Sequence, residues 1–299
     1  MRSLIKMRSL IRVLPFVALV LLLAPLAFAD SVIYNSIPGS LPGNLVSEAF
    51  EAQSVSQFGE LIEFGGGNSS YSLGTATVLM SDWAMESTWA SGLGETVSPG
   101  TTITSAGFTV PMTLNLYNVG AGNTVGSLIA SGTVDAFIPW RPESGGCADP
   151  TAYLASDGGC YHGSLSEVTF NLTGITVPDE IIYGLAFNTE VYGADPTGVD
   201  GPYDSLNFAL TSSGDSVGSN PAAGSAYVNS TWTGGYSDGG AAGLGTFRED
   251  PNWASYAGNS SYEGGIEFTE TPEPSSLLLL GSGLSALAAL YRKTRQTAS

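Results

Sequence analysis

Hydrophobic and polar residues alternate along several short stretches of the chain. Met112, Leu114 and Leu116 interleave with Thr113, Asn115 and Tyr117, and Val168, Phe170 and Leu172 interleave with Glu167, Thr169 and Asn171. A period of two sends one set to a core and the other toward water, as in a half-buried strand. This pattern, with turn residues between the segments, predicts strands over 32–35, 60–64, 75–80, 112–117, 133–138, 167–172, 181–188, 205–210 and 265–269. Between Asp30 and Thr271 no stretch long enough for a helix carries an i, i+3, i+4 apolar stripe. The expected fold is all-β: one antiparallel β-sandwich, jelly-roll-like, spanning 30–271.

The two ends follow a different pattern, with unbroken apolar runs. Arg2, Lys6, Arg8 and Arg12 precede an apolar run over 13–24, and Ala27-Phe28-Ala29 follows as a small-x-small cleavage pattern. Residues 1–29 therefore read as a secretory signal with Asp30 as the mature N-terminus. An N-terminal anchor is the alternative, but the run is short for a span and ends in a processing site. Met-Arg-Ser-Leu-Ile occurs at 1–5 and again at 7–11, so translation from Met1 or Met7 leaves a working positive region.

At the other end, Pro272-Glu273-Pro274 stands before a Leu/Gly/Ala run and the cations Arg292, Lys293 and Arg295. The 16 residues 275–290 make a helix of about 24 Å, against a hydrocarbon core of roughly 30 Å. A short transmembrane helix over about 275–291 is expected, with its basic end in the cytoplasm and the body outside. The prolines keep upstream structure from running into it.

Composition sharpens the picture. Hydrophobic residues make up 43% of the 299, enough for a core, while 39 glycines and 16 prolines suit a chain of many turns. Seven of the nine cations lie in the terminal segments, leaving Arg141 and Arg248 against 26 acids between Asp30 and Thr271, a balance of −24. Such a body repels phosphate backbones, which excludes nucleic acid as a partner. It also repels acidic polysaccharides unless divalent cations bridge carboxylates on both partners.

The tail over 272–299, with its Pro-Glu-Pro, short helix and terminal Arg/Lys cluster, resembles the PEP-CTERM sorting signal of Gram-negative bacteria. The resemblance implies export, tethering through the C-terminal helix, and cleavage by an exosortase near Pro272-Glu273-Pro274. Release to the cell surface or extracellular matrix would follow. It also implies a setting of exopolysaccharide production, and it is silent about chemistry. The body resembles an uncharacterised group of secreted bacterial β-sandwich proteins through Phe58-Gly59-Glu60-Leu61-Ile62, Ser81-Asp82-Trp83-Ala84, Ile138-Pro139-Trp140-Arg141-Pro142-Glu143, Pro178-Asp179-Glu180-Ile181-Ile182-Tyr183-Gly184 and Gly201-Pro202-Tyr203-Asp204-Ser205-Leu206-Asn207. That likeness implies one domain and brings no site residues.

Candidate chemistry is sparse. Cys147 and Cys160 are the only cysteines, and outside the cell they are expected to form a disulfide. With His162, the only histidine, they are too few for a closed zinc site. Gly-x-Ser-x-Gly occurs around Ser216 and Ser237, but neither copy sits between a strand and a helix, and a glycine-rich chain produces such matches by composition. Asp195, Asp200 and Asp204 fall in a turn-rich loop that could offer oxygens to calcium, though aspartate beside glycine or proline is common in turns. No other cofactor is expected. Arg141 and Arg248 are expected to pair with carboxylates. The glycine-rich segment 212–265 carries Trp232, Tyr236, Trp253 and Tyr256. It reads either as a binding loop or, preferably, as short strands with the aromatics turned inward. The expected function is a non-enzymatic cell-surface or matrix protein with exopolysaccharide as a candidate partner. The alternative is a secreted polysaccharide-active hydrolase, which would need two carboxyls suitably spaced across a sugar.

Overall fold

The computed structural model describes residues 30–92, 94, 96–97, 100–212, 214–231, 246–251, 253 and 262–271. The expected signal at Ala27 and Ala29, the tail from Pro272 to the basic cluster Arg292, Lys293 and Arg295, and Trp232, Tyr236, Ser237 and Tyr256 lie outside the described residues. Among the described residues no helix is long and apolar enough to cross a membrane.

Each expected strand has its counterpart, usually longer than the alternating stretch that revealed it. The segment at 75–80 is the middle of Ser70–Asp82, 112–117 the middle of Gly107–Val119, and 133–138 the end of Val125–Pro139. Two large sheets, of eight and nine strands, and a small hairpin account for the strand pairing among the described residues. The pairings are antiparallel: Ser70–Asp82 takes Ser164–Asn171 on one side and Ile266–Glu270 on the other, and Gly107–Val119 lies between Glu180–Phe187 and Val125–Pro139. The fold is all-β, as the alternation requires.

The inward sets of the two sheets meet in one core. Met112, Leu114 and Leu116 of the nine-stranded sheet and Val168 and Phe170 of the other are all buried within it. Aromatic rings bridge the layers: Phe58 meets Phe208 edge-on at 6.0 Å, and Tyr183 meets Phe268 at 6.2 Å. Such rings bury large areas and favour these tilted geometries. Trp253 is also turned inward, its ring 5.5 Å from Phe58, in keeping with the inward reading of the glycine-rich segment at this one described position.

Two local features depart from the expected pattern. The segment 60–64 is a strand over Leu61–Glu63 only, and a second strand precedes it. Val55–Gly59 ends at Glu60, and Leu61–Glu63 begins anew, because the Glu60 carboxylate turns inward and accepts the Gly264 N–H at 2.9 Å. The segment 214–220 straps the two sheets together. The Ser216 N–H donates to Asn35 O at 2.8 Å, and Glu63 and Ser219 exchange backbone hydrogen bonds at 2.8 and 3.0 Å. Gly218 serves this strap with φ +77°, where a Cβ would strike Glu63 O and the Tyr34 ring.

Candidate functional site

A disulfide closes a small lobe of the fold. Cys147 and Cys160 are bonded, with Cα atoms 6.0 Å apart, and they flank the hairpin Tyr153–Leu154 with Cys160–Tyr161. In native protein both sulfurs are expected to resist alkylation until a reductant is added, which intact mass would show; free thiols before reduction would contradict the bond. His162 stands beside this lobe. Its Nε2 is 3.3 Å from Asp149 Oδ2 and its Nδ1 3.3 Å from Thr151 Oγ1. The ring stacks on exposed Trp83, with centroids 5.8 Å apart. Ser216, the described Gly-x-Ser-x-Gly serine, donates its hydroxyl to Asn35 O at 3.1 Å and so belongs to the strap.

Arg141 departs from the expected carboxylate pairing. It is buried, and its guanidinium donates to Trp83 O at 3.2 Å, Thr151 O at 3.2 Å, Ser144 Oγ at 2.9 Å and Met85 Sδ at 2.8 Å. Asp82, the carboxyl that feels the Arg141 charge, spends Oδ1 on the Ala84 N–H at 3.1 Å. Burial pushes the Asp82 carboxyl up to about 8, against the opposing pull of backbone N–H groups and Arg141. The carbonyls of Trp83 and Thr151 take Nε and Nη2 in place of an ion pair, while the buried Nη1 has no hydrogen-bond partner.

In the turn-rich loop, the structure brings together Glu190, Asp200 and Asp204, each with a carboxylate oxygen within 4.8 Å of the others. Asp195 is outside this group; its N–H donates to Asn188 Oδ1 at 3.0 Å. Glu190 comes close because the loop folds back, with Thr197 N–H on Thr189 O and Gly198 N–H on Glu190 O, both at 2.9 Å. No short motif marks that reversal. Asp204 Oδ1 accepts the Glu190 N–H at 2.7 Å and Oδ2 the Gly201 N–H at 2.8 Å. Burial nevertheless lifts its carboxyl to about 6. These three residues have the oxygen chemistry to hold a hard cation, and two of the same oxygens already close the loop.

A second acidic group lies between the sheets under the strap. Glu60 is fully buried, with Oε1 on the Gly264 N–H and Oε2 accepting from Asn220 Nδ2 at 3.1 Å. Burial, then the charge of Glu263, drives its carboxyl well above the usual range. Glu263 itself is pushed up to about 8 by burial and by Asp215. The hydroxyls of Tyr34 and Tyr183, both fully buried, are raised by the same desolvation and by these carboxylates. Strongly perturbed acids often mark active sites. These, however, are buried between layers, and they read as structural groups that burial keeps protonated.

The outer face of the nine-stranded sheet carries an open furrow of about 540 Å³, lined by residues that include Gln57, Thr113, Asn115, Ala186, Asn188 and Asn229. Sequence reading recognised Thr113 and Asn115 as an outward set but not as one side of a site, because the opposite side comes from strands more than fifty residues away.

No curated protein and no solved structure matches this chain. Residues 270–293, of which Glu270, the end of the strand Ile266–Glu270, and Thr271 are described, match the PEP-CTERM protein-sorting motif, so the chain carries the signal that marks exosortase substrates.

Proposed function

We propose that this protein is a non-enzymatic component of the cell surface or extracellular matrix, exported through a signal ending at Ala29. It is held by a helix over about 275–291 until an exosortase cuts near Pro272-Glu273-Pro274. The body, 30–271, is read as one jelly-roll-like sandwich domain, with exopolysaccharide as its partner. The carrying observation is the sorting motif over 270–293. The rigid, two-layer aromatic core and the disulfide suit a protein that persists outside the cell.

Processing supplies the test. Intact mass of the surface protein from its host is expected to begin at Asp30 and end near Pro274. With the exosortase gene deleted, or with Pro272 and Pro274 both changed to alanine, the tail through Arg295 is expected to persist in the membrane fraction. A mature surface protein that still carries Arg292, Lys293 and Arg295 would overturn the sorting reading. A reducing-sugar assay on the same protein is expected to show no turnover. Sustained product formation would move it to the hydrolase class.

A further inference from the structure

The furrow opens where the middle strand of the outer face carries only the methyl group of Ala186. Along Glu180–Phe187, Tyr183, Leu185 and Phe187 point to the core, which leaves Gly184 and Ala186 on the other face. Gly184 lies under the Gln57 amide and the Phe247 ring, which a Cβ there would strike, so Ala186 is the small residue that lines the furrow. The flanking strands carry longer polar groups. Asn115 is paired with Gly184 and Thr113 with Ala186 on one side, while Gln57 and Asn229 are paired with each other on the other side. Asn188, Gly193 and Ala194 complete the lining beyond the strand's end.

Side chains in this lining are held by hydrogen bonds that leave part of their capacity unused. Asn115 Oδ1 accepts the Ser131 hydroxyl at 2.6 Å, and Asn188 Oδ1 accepts the Asp195 N–H, so both amide nitrogens remain as donors. Gln57 is fixed by Tyr117 at 3.0 Å. The Ser56 hydroxyl accepts the Gly193 N–H at 3.3 Å and keeps its own proton to give. Fixed donors of this kind bind without first losing rotamer freedom.

None of the lining residues ionises, although 26 acids populate the body. An anionic ligand would meet the field of those acids, and a cationic one would find no carboxylate in the furrow. Pro111, Phe187 and Ala194 give the lining apolar area as well, but a lipid tail would leave the amides of Gln57, Asn115 and Asn188 without water or partner. A peptide adding to a sheet needs a free edge, and Val55–Gly59, Glu180–Phe187 and Gly107–Val119 are paired on both sides. A neutral ligand rich in hydroxyls, each both donor and acceptor, matches amides and hydroxyls at a volume usual for small-ligand sites. We propose that this furrow binds a neutral oligosaccharide segment of the extracellular polysaccharide. The proposal rests on the surface-protein reading above and adds to it the site and the ligand class.

Affinity electrophoresis of the protein purified from its host tests it, with dextran, galactomannan or xyloglucan in the gel and alginate as the acidic comparison. At least one neutral polymer is expected to retard the protein, and alginate in the absence of divalent cations is not. Ala186→Trp fills the furrow and is expected to abolish retardation. Asn115→Ala removes one donor and is expected to weaken it by about tenfold, the equivalent of one good hydrogen bond. Thr169→Ala, on the other sheet, should leave it unchanged. Absence of retardation by all three neutral polymers would overturn the proposal, as would unaltered retardation of Ala186→Trp. If Ala186→Trp fails to fold, Asn115→Ala with Asn188→Ala decides. Tail processing is read separately by mass, so loss of the furrow's function with normal cleavage refutes this site and leaves the sorting reading intact.

Discussion

Raising the pH from about 5 to about 9 is expected to destabilise the folded protein by about 3–6 kcal/mol, a direction opposite to ordinary acid denaturation. The cause is three carboxyls that burial keeps protonated. Asp82 and Glu263 are pushed up to about 8, and Glu60 well above its usual range. An unfolded chain releases the same protons near pH 4. Between those values the native state binds more protons than the unfolded state, so stability falls as pH rises. The contribution is fully present below about pH 4 and is lost as pH climbs through about 8. Asp204, lifted to about 6, adds a smaller loss over the lower part of the same window. Glu263 keeps some solvent contact at the edge of the cluster, which trims its share.

Urea unfolding at pH 5, 7 and 9 reads this directly. The midpoint should drop across the series, and Glu263→Gln, which cannot ionise, should flatten the dependence. A midpoint that rises with pH would show that these carboxyls are charged in the native state. Such a result would remove the account of the cluster under the strap as protonated.

Replacing Phe208 with alanine is expected to cost about 3–5 kcal/mol, the range for emptying an aromatic site in a core that relaxes only partly. Phe208 is fully buried and stands between the layers, with its ring 6.0 Å from Phe58 and 6.5 Å from Tyr183. Gly264 gives it room, since a Cβ there would come within 2.6 Å of the ring. For a body of this size the melting temperature should fall by roughly 10 °C. Phe137→Ala makes the control. That ring is exposed on Val125–Pro139, where truncation should change stability by no more than about 0.5 kcal/mol. Equal melting temperatures for the two variants would mean that the sheets are not joined through Phe208.

The strands were legible where one face meets the core and the other meets water. Gly107–Val119 and Ser164–Asn171 show this: over 112–117 buried positions alternate with half-buried ones, and over 167–171 with exposed ones. Val55–Gly59 was hidden because it is buried at every position and no period is written in it. Ser47–Ala49, Arg248–Asp250 and Glu263–Gly264 were hidden because two or three residues cannot display one. Asp200 and Asp204 could be picked out as neighbours in the chain. Glu190, which joins them in place of Asp195, is brought there by a loop reversal made of backbone hydrogen bonds.

By itself, then, the chain's local order determined the strands with one wet face, the acidity of the body, the sorting motif and the pairing of its only two cysteines. These depend on periodicity, charge count and short contiguous motifs, which need no knowledge of distant neighbours. Tertiary structure alone decided that Glu60 and Glu263 come together between the sheets, that Arg141 donates to loop carbonyls, and that Ala186 becomes the floor of a furrow walled by Gln57, Asn115 and Asn188. Each of those results is set by which strands lie side by side. Strand order is fixed by the burial of both sheets together, a free energy spread over the whole core and written in no single segment.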